Sequence, residues 1–142
     1  MMSLTLAHAQ TIIREGLAHG RKAAMMPLTM VVLDARAVVI ASACEDGSSR
    51  GRFDVARGKA NGALAFNRNS RKLAEMVKDY SHFLSSSGPL VGGLVPVAGG
   101  VIIRDAANAV IGAVGVSGDS SDNDEACAMA GIKATGLNAE GG

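Results

Sequence analysis

Two short β-branched runs, Val101 to Arg104 and Val110 to Val116, lie in a stretch from Gly88 to Gly118 so rich in glycine that few backbone arrangements suit it. The polar, turn-forming Asp105 to Asn108 separates the runs, and glycine pairs stand before them at Gly92-Gly93 and Gly99-Gly100. This pattern predicts a β-hairpin with glycine-rich mouths. Glycines beside strands serve backbone that takes positive φ or comes close to a ligand, another strand or a partner subunit. The other elements have to be arranged around this hairpin.

Upstream, Leu6, Ala9, Ile13, Gly16, Leu17, Gly20 and Ala24 recur at three- and four-residue steps behind Thr5, which is placed to cap the first turn. They predict an amphipathic helix with one side narrowed by small residues, stopped by Pro27. Leu28 to Leu33 and Val38 to Ser42 read as two strands joined by the tight turn Asp34-Ala35-Arg36-Ala37, an antiparallel hairpin. A polar loop follows, then a helical stripe of Phe53, Ala56, Ala60, Ala63, Leu64 and Asn67, small enough for close approach to a sheet. A shorter helix from Ser70 to about Tyr80 is expected to carry Leu73, Met76, Val77 and Tyr80 inward, with a loop leading on to Gly88. The last helix opens with Ser121 and Asp124 at capping-box spacing, with Asp122, Asp124 and Glu125 over its positive end and a small-residue face of Cys127, Ala130, Gly131 and Ala134. Residues 135–142 read as a mobile tail. The order predicts one α/β (α+β) domain over 1–142, an antiparallel sheet of about five strands with helices on both faces.

At 142 residues the chain can bury one good core. A formal net charge of +1 and 3% aromatic residues argue against nucleic-acid partners, and the charge argues against an acidic membrane surface. No run reaches the roughly 18 apolar residues of a membrane span. The N-terminal stretch, broken by His8, Gln10, Arg14 and Glu15, is unlike a secretory signal. Cys44 and Cys127, far apart and outside any CxxC spacing, read as reduced buried thiols. A cytoplasmic protein is expected. Apolar composition with 18 glycines suggests surface buried between subunits, hence a dimer or higher homo-oligomer.

The segments ARGKA (Ala56 to Ala60), PVAGGVII (Pro96 to Ile103) and IGAVGVSGDSSDNDEACAMAG (Ile111 to Gly131), within a frame covering nearly the whole chain, resemble the GlcG/HbpS family, also called haem-degrading-domain or PduO C-terminal-like proteins. The resemblance implies a profilin-like three-layer sandwich and self-assembly. It also implies haem or corrinoid connections in some relatives and an accessory place beside catabolic enzymes in many. The chain departs from the pattern at Asp34-Ala35-Arg36-Ala37, where relatives often carry a glycine pair after the aspartate.

Haem needs a His, Cys, Met or Tyr within reach of its iron. The candidates are His8 and His19 on the first helix, too far apart to hold one metal together, and His82 near Tyr80. Met25, Met26, Met30, Met76 and Met129 read as gap-fillers in a core poor in aromatics. Arg52, Arg57 and Lys59, with Asp54, suit an anion site for a carboxylate, a phosphate or haem propionates; the alternative is a solvated face with a salt bridge to the acidic start of the last helix. GAVGVSG is not the dinucleotide fingerprint, and the surroundings of Ser117 match no GxSxG elbow or triad.

Three readings remain at this level. The first is a small ligand-binding protein for haem, another tetrapyrrole or a carboxylated ligand, using Arg52, Arg57 or Lys59 and an apolar wall. The second is a small catabolic enzyme on a carboxylated metabolite, with a pocket of Pro96, Gly99, Gly100 and Ser117 and Asp34 or Asp54 as acid or base. The third is a structural assembly protein whose glycines serve packing alone.

Overall fold

A computed structural model describes residues 2–141. The elements run α1 (Leu6–Lys22), β1 (Thr29–Asp34), β2 (Val39–Cys44), α2 (Arg52–Phe66), α3 (Ser70–Ser87), β3 (Gly100–Arg104), β4 (Val110–Ser117), α4 (Ser121–Ala134) and β5 (Asn138–Ala139), with a short 3-10 turn at Pro89–Val91. All five strands pair antiparallel in the order β2-β1-β4-β3-β5. Helices α1 and α4 cover one face over a core that includes Ile12, Met30, Val32, Val114, Val116 and Ile132. Helix α2 covers the other over Val31, Leu33, Ala56, Ala60 and Ala113. The alternation along β1 and β4 divides the two cores, since successive strand residues point to opposite faces. No described helix is long and apolar enough to cross a membrane.

Helix α1 begins where Thr5 predicts: its hydroxyl accepts from the His8 amide at 3.0 Å, while His8 Nδ1 accepts from the Thr5 amide at 3.2 Å. The cap of α4 falls one residue before the expected one. Ser120, not Ser121, accepts from the Asn123 amide, and Asp124 turns inward. Helix α3 outruns its expected end at Tyr80 and continues to Ser87, with non-helical dihedrals (φ −131°, ψ 33°) at Tyr80. Its serine-rich second half reads as loop, yet Ser85 and Ser87 return their hydroxyls to the carbonyls of His82 and Phe83, which lets serine sit inside a helix. Val77 and Tyr80, expected inside, are exposed, as are Met26 and Cys44. The tail read as mobile instead carries β5 against β3, and Glu140 takes Arg104 and the Asn69 amide. Its last residue lies outside the described ones.

The two hairpins close with one device. Asp34 accepts from the amides of Arg36 and Val38, and Asp105 accepts from those of Ala107 and Ala109. Each turn then needs a left-handed residue, Ala37 (φ 64°) in the first and Asn108 (φ 67°) in the second. Asparagine tolerates that region; alanine is strained there by its Cβ. Ala37→Gly is therefore expected to stabilise the fold by about 0.5–1 kcal/mol, read as a higher denaturation midpoint. A lower midpoint would show that Ala37 is held elsewhere in φ.

Candidate functional site

Between the second half of α3 and the loop 88–96 lies an open groove of about 470 Å³, within the size range of small-molecule sites. Val77, Leu84, Pro89, Leu94 and Pro96 supply apolar walls, with Ser81 and Ser85 between them. The loop reaches this position through α2. Asn61, almost fully buried, donates its side-chain amide to the carbonyls of Val91 (2.9 Å) and Gly93 (2.6 Å), and the Val95 amide donates to Gly58 O at 3.1 Å. A Cβ at Gly58 or Gly62 would stand 2.8 Å from Val95 or Leu94, so these two α2 glycines admit the loop at close range. Gly92 and Gly93 turn it with φ of 89° and 95°, values that suit glycine.

Two cations stand near the groove. Arg57 donates to the Gly92 carbonyl at 3.0 Å and lies beside Gly93, a lining residue. Lys78 lines an adjoining hollow of about 320 Å³ that shares Pro96 with the groove. Among the described residues neither has a carboxylate in salt-bridge contact. Sequence reasoning missed Lys78 and Asn61. An asparagine set among small residues, in Ala60-Asn61-Gly62-Ala63, was the available signal for the latter.

The residues expected to form an anion site are turned to different partners. Arg52 donates to Ser117 Oγ at 3.2 Å. Lys59, 3% exposed, donates to Val116 O (2.9 Å) and pairs with Asp124 Oδ2 (3.1 Å). Burial lowers the Lys59 ammonium from its ordinary value and raises the Asp124 carboxyl, each against the pull of the other. Lys59 is thus spent on a bond between two helical layers. Asp54 is exposed at the start of α2. Asp34 is occupied at the hairpin tip: burial raises its carboxyl, but the Arg36 guanidinium and the turn amides outweigh this and hold it low.

Of the residues expected to line one pocket, Pro96 lies on the groove, while Gly99, Gly100 and Ser117 are buried elsewhere. A Cβ at Gly100 would collide with the Lys59 carbonyl, so this glycine serves the seat of α2 on β3. His19 and His82 are exposed, and His8 uses Nδ1 in its capping box. Among the described residues no three of His, Cys, Asp and Glu gather to hold a metal ion. Burial pushes the Cys127 thiol up to about 11, which makes it unreactive. Among the described residues, those lining the groove carry no acid or base, and the arrangement can hold an apolar body.

Comparison with known proteins adds to this geometry. The family model described as haem degrading protein, HbpS-like, matches residues 4–133. The solved complex of PduOC with haem is 20% identical over 96% of this chain and 98% of its own, with a TM-score of 0.86. The structure of HbpS is 25% identical over 94% and 90%, at 0.83. The Klebsiella pneumoniae protein ORFY is 19% identical over 96% and 93%, at 0.86. No curated protein matches the chain.

Proposed function

Because the chain belongs to the HbpS-like family of haem degrading proteins, we propose that it is a small haem-binding protein. The observation that carries this reading is the groove along α3, an apolar trough whose described lining carries no acid or base, with Arg57 beside its Gly93 and Lys78 in the hollow that adjoins it. That combination suits a flat apolar ring bearing carboxylates, since arginine and lysine meet carboxylates well at a solvent boundary. Val77, Leu84, Pro89, Leu94 and Pro96 would hold the ring, and Asn61 would keep the loop wall in place. Bound haem supplies an iron centre capable of ligand exchange and one-electron chemistry. The walls fit the ring but offer the iron no imidazole, thiolate, thioether or phenolate; Tyr80 and His82 lie on α3 outside the described lining. The absence of an acid–base pair is what sets binding ahead of catalysis on a carboxylated metabolite.

Titration of the purified protein with ferric haem, followed by absorbance, tests the reading. A saturable Soret shift is expected at one haem per subunit or per subunit pair. A linear, non-saturating rise would remove haem binding from consideration.

A further inference from the structure

We infer that the groove recognises the tetrapyrrole ring and its carboxylates, not the metal, so that dicarboxylate tetrapyrroles enter it with or without iron and Arg57 and Lys78 receive the carboxylates. The inference rests on the haem-binding reading and goes a step beyond it, to what the site measures in its ligand. Three observations support it. The lining is apolar and serine, without one side chain of the kinds that ligate haem iron, so contact with the ring depends on area and shape. Two cations stand at separate points near the groove, Arg57 with its guanidinium beside Gly93 and Lys78 on the adjoining hollow that shares Pro96 with it, so that each is available to one carboxylate. Neighbouring charges are already occupied: Arg71 is tied to Asp122 and Glu125, and Glu75 to Lys72, which leaves Lys78, among the described residues lining that hollow, as the cation without an ion pair.

Arg57 has a second part in this. Its guanidinium holds the Gly92 carbonyl and so fixes the wall that the ligand touches. A carboxylate arriving beside it would add a charge-assisted bond to a donor already positioned, which reduces the ordering that binding requires.

The test is direct binding of metal-free protoporphyrin IX, its dimethyl ester and ferric haem to the full chain, by fluorescence for the first two and absorbance for the third. Saturable protoporphyrin binding in competition with haem is expected, weakened more than tenfold by esterification. Arg57→Gln and Lys78→Gln should each weaken it about two- to fivefold, the range for solvent-exposed ion pairs. Val77→Glu, which places a like charge on the exposed wall, should weaken it more than tenfold while leaving the denaturation midpoint unchanged. Haem binding without protoporphyrin binding would overturn the inference and leave the haem reading standing. So would protoporphyrin binding indifferent to esterification, to the rim variants or to Val77→Glu. Failure of both ligands to bind would overturn inference and reading together.

Discussion

Lys59→Met is expected to cost about 3–5 kcal/mol of folding stability, among the largest losses any single side chain here can cause. Lys59 leaves α2, passes under Gly99 and reaches Asp124 at the start of α4, which lies on the opposite face of the sheet. Methionine keeps the volume and the flexible stem but removes the charge. Asp124 would then stand buried with its Asp119 amide bond and no counter-ion, and an uncompensated buried carboxylate is costly. The sign with pH follows. Burial already raises the Asp124 carboxyl in the native protein, and loss of Lys59 raises it further. A carboxyl whose folded pKa lies above its unfolded value contributes stability below the unfolded value and loses it as pH rises through the folded one. The deficit of the variant relative to the parent should therefore narrow as pH falls. Denaturant unfolding at several pH values measures both the loss and its slope; a loss below about 1 kcal/mol, flat in pH, would mean that the two groups do not face each other.

That ion pair also shows how far the sequence could be read. Lys59 was legible as one of three cations near the start of α2, and Asp124 as part of an acidic helix start. A salt bridge to the acidic start of the last helix was one of two expectations, on a solvated face; that the pair is instead buried depends on α2 and α4 packing on opposite faces with ends close enough to touch, which no local spacing encodes. The hairpins were legible because Asp105 to Asn108 and Asp34 to Ala37 carry their own turn chemistry, the aspartate side chain bonding amides two and four residues on. The second half of α3 was not: its serines satisfy themselves locally and its apolar residues, Phe83 and Leu84, are too few to show a period. The groove went unread for the same reason, being formed by that half helix and by a loop whose position is set by Asn61. Arg57, expected as one cation of an anion site, lies beside the groove at Gly93.

Gly115→Ala should destabilise the protein by about 3 kcal/mol or more, at the upper end for overpacking. Gly115 and Gly100 are register partners across β4 and β3, and both face α2. A Cβ on Gly115 would fall on the Ala56 carbonyl, and one on Gly100 on the Lys59 carbonyl. Because the obstacle is backbone in each case, trimming a side chain of α2 cannot relieve it; the helix itself must move off the sheet. Gly51, with φ −75° and nothing within 4 Å, is the control, where alanine should change stability by less than about 0.5 kcal/mol. The double variant Gly100→Ala/Gly115→Ala should cost less than the sum of the singles, since one displacement of α2 serves both. That displacement carries Asn61 and Arg57 with it, so either variant should also weaken haem binding beyond what its lower stability explains. Additive losses would place the two glycines under independent obstacles, and unchanged binding in a folded Gly115→Ala would separate the seat of α2 from the groove.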